Sequence, residues 1–129
     1  VRCWGANGSA QLGVGTRVTA RSPVVVEGVE HVTAVAAGLG HSCALLASKA
    51  VWCWGANASG QLGDGSVEPS ATPREVRQLD PAQSIALGSS HSCAVLESDR
   101  AVCWGENGAL ELGDGTVEDR TLPVVVALP

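Results

Sequence analysis

The sequence repeats itself every 50 residues, and this repeat constrains the fold more than any other feature. Three features recur at this period: a tryptophan motif C-W-G-x-N-x-x-x-x-L-G-x-G, a motif H-S-C-A, and a proline that opens a short valine-bearing run. They begin at Cys3, Cys53 and Cys103, at His41 and His91, and at Pro23, Pro73 and Pro123, respectively. A period of about 40 to 50 residues is typical of the blades of β-propellers.

Each repeat supplies about four short strands. Residues 32–38 form a run of small and β-branched residues that ends in glycine, as expected for a strand covered on both faces. Residues 43–47 and 51–55 flank a Ser-Lys pair and predict a hairpin, and the segments 50 residues later predict another. The glycine-rich stretch 55–65 predicts a long loop, and the valine run after Pro73 predicts an outermost strand, where proline is tolerated. The predicted fold is all-β, with propeller blades of four antiparallel strands.

The motifs resemble the repeats of the regulator-of-chromosome-condensation family over essentially the entire chain, and the paired cysteines indicate the bacterial type. The residues that carry this resemblance are Gly38, His41, Ser42, Ala44, Leu45, Trp54, Gly55, Asn57, Gln61, Leu62, Gly63 and Gly65. Kelch and WD repeats do not fit, because the sequence contains no Gly-Gly pair, no tyrosine and no Trp-Asp pair. The resemblance implies a seven-bladed β-propeller.

The repeats divide the chain into three units of one propeller. These are a partial repeat or outer half-blade at 1–31, a complete repeat at 32–81, and a complete or nearly complete repeat at 82–129. Two and a half repeats fall short of the roughly four blades that a closed propeller needs. We therefore expect either a section of a longer chain or a homo-oligomer in which several copies complete a ring.

The five cysteines predict two disulfides and one thiol without a partner. In a hairpin centred on Ser48, Cys43 lies opposite Cys53, and the next hairpin places Cys93 opposite Cys103. Directly opposed residues of a non-hydrogen-bonded pair have Cα atoms about 4.5 Å apart, within the range of a disulfide.

Cys3 is the odd cysteine, and its partner is expected in a preceding H-S-C segment or in another chain. Disulfides indicate an oxidising compartment, and hence an extracellular or cell-surface protein. The alternative is that all these cysteines are free and buried in a cytosolic propeller. Metal or haem ligation by His41 with Cys43, or by the equivalent pair 50 residues later, is disfavoured, because residues two apart on a strand rarely chelate together and no C-x-x-C-H is present.

Charge and composition exclude several classes of partner. The net charge is −5 and only eight residues are lysine or arginine, which argues against nucleic-acid binding. No apolar stretch reaches the roughly 18 residues that a membrane-spanning helix needs. No motif calls for a cofactor: the Gly-x-Gly sequences lead into a strand rather than a helix, so they lack the helix N-terminus of phosphate-binding loops.

Several recurring residues have a structural interpretation and a functional alternative. The structural residues predicted from the repeat are Trp4, Trp54, Trp104, His41, His91, Asn57 and Asn107. The tryptophans are expected between blades, the histidines in structural hydrogen bonds and the asparagines on their own loop backbone. The histidines could act as general bases, but no nucleophile accompanies either one. Asp64 and Asp114 could bind calcium, but Val14 occupies the equivalent position in the first repeat.

Residues that differ between repeats are the candidates for binding a partner protein. Trp52 has arginine and valine as its counterparts, so it is the candidate aromatic anchor, with packing as the alternative. Glu68 and Glu118, together with Glu75 and Asp119, fall in or beside the variable segments after the glycine-rich loops. Insertions and variable loops of repeat arrays often form the binding face.

The sequence thus predicts a non-enzymatic protein-interaction or scaffold module with an unknown protein partner, and no catalytic or metal-binding residues. The resemblance also offers a guanine-nucleotide exchange factor-like regulator of a small GTPase, but the acidic charge and paired cysteines argue against it. A third interpretation is a secreted propeller that inhibits another protein, such as a hydrolase.

Overall fold

The computed structural model describes residues 1–128, so Pro129, the last residue of the predicted third unit, lies outside the described residues. The described part folds into ten strands. They are β1 (Arg2–Gly5), β2 (Ala20–Val25), β3 (Val32–Ala37), β4 (His41–Leu46), β5 (Val51–Gly55), β6 (Ser70–Glu75), β7 (Ala82–Leu87), β8 (His91–Leu96), β9 (Ala101–Gly105) and β10 (Arg120–Val125). Within residues 1–128, no helix has the length and apolar character needed to cross a membrane.

Consecutive strands pair antiparallel and form three sheets within residues 1–128. The first sheet contains β1 and β2, the second runs in the order β3-β4-β5-β6, and the third in the order β7-β8-β9-β10. The prediction of an all-β chain with sheets of four antiparallel strands is confirmed. Each long glycine-rich loop connects the third and fourth strands of a sheet, or β1 and β2 in the first sheet.

The central hairpins have the register predicted from the sequence. In the second sheet Cys43 pairs with Cys53 and His41 with Gly55, and the third sheet repeats these pairings 50 residues later. Because successive side chains of a strand point to opposite faces, this register places Trp54 on the face opposite Cys53.

The prolines lie inside the edge strands rather than at their first residue. Pro73 is the fourth residue of β6, and β6 is the last strand of its sheet. The register between β5 and β6 shifts between Cys53 and Gly55, so the ladder is interrupted beside this proline. An edge position together with a bulge accommodates a residue that has no N–H to donate.

The strand β3 is more exposed than the sequence predicts. Burial on both faces was expected from its small and β-branched residues, but this expectation is wrong: Val35 is 63% exposed. The physical reason is that β3 is an edge strand of its sheet, and the neighbouring first sheet has only two strands.

Two hydrophobic clusters fill the spaces between neighbouring sheets. The first lies between the second and third sheets and is built around Leu62, Val76 and Trp104. The second lies between the first and second sheets and contains Val26 and Trp54. Each sheet therefore buries one face against its neighbour, with the glycine-rich loop of the preceding repeat included in the contact.

Candidate functional site

A buried asparagine fixes the backbone of each glycine-rich loop. The Oδ1 atom of Asn57 accepts a hydrogen bond from the Leu62 N–H at 2.9 Å, and its Nδ2 donates to the carbonyl oxygens of Ser66 at 3.0 Å and Glu68 at 2.8 Å. The equivalent asparagines of the first and third repeats make the same set of contacts. The asparagine holds its loop from inside, and the side chains at the loop tip remain exposed.

A tryptophan of each following sheet packs on the loop that precedes it. The Trp54 Nε1 atom donates to the carbonyl oxygen of Gln11 at 2.8 Å, and a Cβ atom added to Gly13 would lie 2.7 Å from the indole ring. Trp104 repeats both contacts on the next loop. Trp4 is different, because it is 62% exposed. The glycine at this loop position is therefore explained by the close approach of the ring.

A histidine and a serine from neighbouring repeats form a buried joint. The His41 Nε2 atom lies 2.9 Å from the Ser92 Oγ atom, and that hydroxyl donates to the carbonyl oxygen of Gln61 at 2.9 Å. Because the serine proton is used in this bond, His41 Nε2 must carry a hydrogen and donate it. Burial, with a smaller contribution from the charge of His91, lowers the pKa of His41 to about 4. The histidine is therefore neutral at physiological pH.

This serine–histidine pair is enclosed. Both His41 and Ser92 are fully buried, whereas a nucleophile must be able to reach its substrate. The arrangement joins two repeats and offers no reactive group to solvent. Sequence reasoning missed Ser92 and the carbonyl oxygen of Gln61 as members of this joint. The recurrence of serine after each H-S-C histidine, and of glutamine at 11 and 61, was the available signal.

The structure joins four of the five cysteines. Disulfides link Cys43 to Cys53 and Cys93 to Cys103, with Cα atoms 4.1 Å apart in both pairs. Cys3 is a half-buried free thiol, and burial raises its pKa.

The candidate partner-binding residues lie in different places. Glu68 and Glu118 are exposed at equivalent positions of two successive loops. Trp52 lies on β5, opposite Glu75, and packs in part against the cluster between the first and second sheets. The glycine-rich loop that carries Glu68 begins after Gly55, so Trp52 lies outside that loop.

A shallow cavity lies between the first and second glycine-rich loops. Its volume is about 220 Å³, and its lining includes Arg17, Ala58, Val67 and Pro69. Val67 is 53% exposed. Sequence reasoning did not include this valine, although a valine stands at the equivalent position 117.

The aspartate that recurs in the second and third loops, Asp64 and Asp114, accepts hydrogen bonds within its own loop. Asp114 accepts hydrogen bonds from the backbone N–H and the hydroxyl of Thr116, and Arg120 Nε lies 2.9 Å from its Oδ2 atom. The Thr116 N–H and hydroxyl, followed by Arg120 and Asn107, lower the pKa of Asp114 to about 2. Among the residues that the structure describes, no group of three His, Cys, Asp or Glu side chains is placed to hold a metal ion.

Solved structures share this architecture. Prp20p from Saccharomyces cerevisiae, described together with its binding properties to Gsp1p and histones, is 21% identical, with a TM-score of 0.88 over 98% of this chain and 34% of that protein. Human WBSCR16 is 26% identical, with a TM-score of 0.83 over 98% of this chain and 34% of its own. The chain thus spans about a third of the length of these structures, and its sheets are blades of the same type of β-propeller. No curated protein matches the sequence.

The sequence itself matches two family models, both described as the regulator of chromosome condensation (RCC1) repeat. The first matches residues 2–45 and 50–95, and the second matches residues 32–61 and 82–109. The first model alone covers more than half of the chain, and its matches follow the period seen in the sequence. The chain therefore belongs to the regulator of chromosome condensation (RCC1) repeat family.

Proposed function

We propose that the chain is a non-enzymatic protein-interaction module whose binding face is formed by the tips of its glycine-rich loops. We call this face the loop surface and define it by Arg17, Val67, Glu68, Val117 and Glu118. The observation that carries the proposal is the exposed valine–glutamate pair at the same position of two successive loops. Each pair stands on a backbone that a buried asparagine holds in place, so the binding groups are preorganised.

The chemistry of the loop surface favours an extended segment of a partner protein with alternating apolar and basic residues. The cavity of about 220 Å³ beside Val67 can take one apolar side chain, and Glu68 next to it offers a carboxylate. In the first repeat, Arg17 stands where the others have valine. The change from arginine in the first loop to valine in the second and third would fix the direction in which the partner segment binds.

The state of the residues that could act as bases supports a non-enzymatic role. His41 is fully buried and already donates to Ser92. Asp114 is held by Thr116 and Arg120. Both groups are thus engaged in hydrogen bonds that hold the fold.

The loop surface would work within a larger ring of blades. We propose the predicted division into a partial repeat at 1–31 and two repeats at 32–81 and 82–129. Both H-S-C strands already pair within their own sheets, so a second copy could complete the first sheet only by opening one of its own. This favours the remaining blades of a longer chain over self-assembly.

The two disulfides support an extracytoplasmic location. A chain prepared without reductant and then unfolded should show one free thiol, that of Cys3. Five thiols would place the protein in a reducing compartment and overturn this part of the proposal.

Selection of peptides from a random library tests the loop surface. We expect peptides that bind the wild-type chain to carry alternating apolar and basic residues, and to lose at least about tenfold in affinity towards a Val67→Asp, Glu68→Lys variant. Gln78→Asp is the control, because Gln78 lies in the turn at the other end of β6 and should leave binding unchanged. Peptides that bind the wild-type chain and the Val67→Asp, Glu68→Lys variant equally would overturn the proposal. Peptides that lose affinity only towards the Gln78→Asp variant would also overturn it.

Two assays address the alternatives. A small-GTPase regulator would accelerate release of bound guanine nucleotide from its GTPase, and an inhibitor would lower the rate of a secreted hydrolase. If the chain acts through the loop surface as proposed, we expect neither nucleotide release nor inhibition of the hydrolase. Trp52 stays a secondary candidate, and Trp52→Ala should reduce peptide binding only if the bound segment reaches β5.

A further inference from the structure

Two of the three glycine-rich loops carry a short modification motif at their buried asparagine. The sequence reads Asn7-Gly8-Ser9 in the first loop and Asn57-Ala58-Ser59 in the second. Asn-x-Ser, with a residue other than proline in the middle, is the acceptor motif for N-linked glycans. The third loop reads Asn107-Gly108-Ala109, so it keeps the asparagine and lacks the serine.

The structure places both acceptor asparagines in the interior. N-linked glycans are bulky and lie on protein surfaces, whereas the side chains of Asn7 and Asn57 are fully buried. The Nδ2 atom of Asn57 uses its two hydrogens to donate to the carbonyl oxygens of Ser66 at 3.0 Å and Glu68 at 2.8 Å. Asn7 makes the equivalent contacts in the first loop. The fold and the modification therefore require the same nitrogen atom.

Glycan transfer would replace one of these two hydrogens with a sugar. The Nδ2 atom forms a bond to the anomeric carbon of a lipid-linked oligosaccharide diphosphate, the bond from that carbon to the diphosphate oxygen breaks, and the lipid diphosphate leaves. The proton from Nδ2 goes to a base of the transferase. One of the donated hydrogen bonds is then lost. A sugar inside the loop would also lose the hydrogen bonds that its hydroxyl groups make with water.

The fold requires the asparagine of the motif but not its serine. Ser59 contributes its backbone N–H, which donates to the Gln61 Oε1 atom at 2.9 Å, and Ala109 makes the equivalent contact in the third loop. Asn107 forms the same hydrogen bonds as Asn57, although alanine stands two residues after it. The loop shape is thus obtained with or without the motif, so its two residues can be tested separately.

We propose that Asn7 and Asn57 are N-glycosylation sites of the unfolded chain alone, and that a glycan on Asn57 prevents the chain from folding. Folding buries both acceptor nitrogens and thereby excludes the transferase. Asn57 accepts a hydrogen bond from the Leu62 N–H at 2.9 Å, and Leu62 lies in the cluster between the second and third sheets. The proposal does not rest on the loop surface, because it concerns the buried side chains beneath the loop tips.

Modification and folding therefore compete for the newly made chain. In a compartment that contains the transferase, a chain that folds first stays unmodified, and a chain that is modified first stays unfolded. The result depends on the rate of folding relative to the rate of glycan transfer.

Glycan transfer to the full chain in two states tests the first part of the proposal. A flexible C-terminal tag with its own Asn-Gly-Thr motif is the positive control, and a purified oligosaccharyltransferase is supplied with a lipid-linked oligosaccharide. One sample is native and oxidised. In the other, all five cysteines are capped as mixed disulfides with glutathione. The caps keep the chain unfolded, because Cys43 and Cys53 are buried in their disulfide.

Mass spectrometry of the glycopeptides measures the occupancy of each site relative to the tag. We expect Asn7 and Asn57 to be modified in the capped chain. Their relative occupancy should be at least about tenfold lower in the native chain, because only the rare unfolded molecules can react. Equal relative occupancy in the two states, whether high or zero, would overturn the proposal.

Two single substitutions provide matched controls. Ser59→Ala removes the motif, so it should abolish transfer to Asn57 in the capped chain and leave the urea midpoint of the native chain unchanged. Ala109→Ser creates the motif in the third loop, where Asn107 is equally buried. We expect Asn107 to be modified in the capped form of this variant and spared in the native form. Modification of native Asn107 as readily as the tag would show that burial does not protect these asparagines.

Refolding of the capped, untagged chain tests the second part of the proposal. The Ser9→Ala variant is used, so that Asn57 is the site modified. A glutathione redox buffer then removes the caps and allows the two disulfides to form. We expect unmodified molecules to regain both disulfides and a cooperative unfolding transition, and glycosylated molecules to lack that transition. The same transition in both populations would overturn this part of the proposal.

Discussion

Asn57 shows how one side chain can determine the shape of a long loop. The loop of residues 56–69 contains no strand, and its backbone groups need partners that a sheet would otherwise supply. The amide of Asn57 offers an acceptor and two donors, and all are used inside the loop. A shorter polar side chain, or one with only donors or only acceptors, could not make these hydrogen bonds together.

Asn57→Ala should therefore destabilise the chain strongly. Loss of these buried hydrogen bonds leaves backbone groups unsatisfied, and we expect a decrease of about 3 kcal/mol in the free energy of unfolding. Chemical denaturation followed by tryptophan fluorescence measures it. Ser98→Ala, at an exposed turn, is the control and should change stability by less than about 0.5 kcal/mol. Equal effects of the two changes would contradict the role of Asn57.

His41 should make stability depend on pH. Its pKa is about 4 in the folded chain and about 6.5 when unfolded. Because the folded pKa is lower, the unfolded state binds the proton first as pH falls. The contribution is thus fully present above pH 6.5 and is lost progressively towards pH 4.

We expect the free energy of unfolding to fall by about 2 kcal/mol between pH 7.5 and pH 5 on account of His41. Urea denaturation at both pH values measures this difference. His31→Gln, at an exposed position, should leave it unchanged, whereas His41→Gln should remove most of it. A difference that persists in the His41 variant would assign the effect to another group.

At the scale of the element, the central hairpin is held both by its turn, which sets the strand register, and by a disulfide between its two strands. In the turn between β4 and β5, the Leu46 N–H donates to the Ala50 carbonyl oxygen across three residues, of which Lys49 has a φ of 74°. Such loops commonly contain a type I turn followed by a left-handed residue. This turn keeps Cys43 opposite Cys53, and the disulfide then fixes the register.

The double substitution Cys43→Ala, Cys53→Ala should lower stability by about 2 to 3 kcal/mol, the chain-entropy value for closing a loop of this length. Thermal and chemical denaturation without reductant measure the loss. Cys3→Ala is the matched control, because Cys3 has no disulfide, and it should change stability far less. If the control were equally destabilised, packing of cysteine rather than cross-linking would be responsible.

Across the whole molecule, blades are joined through tryptophans that rest on glycines of the preceding loop. Trp104 is fully buried and Trp4 is 62% exposed. The two residues occupy the same position of the repeat, so they form a matched pair.

Trp104→Ala should lower the free energy of unfolding by about 3 to 5 kcal/mol, because it removes the centre of the cluster between the second and third sheets. Trp4→Ala should lower it by less than about 1 kcal/mol, as expected for an exposed side chain. Denaturation curves of the two variants provide the comparison. Similar losses would mean that Trp4 is buried in solution, for example by a further blade or a second copy.

Much of the fold could be read from the sequence because a repeat shows each signal several times. The period, the strands of the central hairpins and the opposed cysteines all follow from local spacing, which the antiparallel register converts directly into contacts. The edge position of the proline strands follows from the missing N–H alone. These features depend on the residues of one repeat.

Only the tertiary structure decided what happens between repeats. The pairing of His41 with Ser92 spans 51 residues, and the exposure of Val35 depends on how much of a neighbouring sheet covers it. The cavity beside Val67 likewise exists because two loops face each other. The physical reason is that spacing along the chain defines contacts within a blade, whereas burial and unpaired groups depend on which surfaces meet in space.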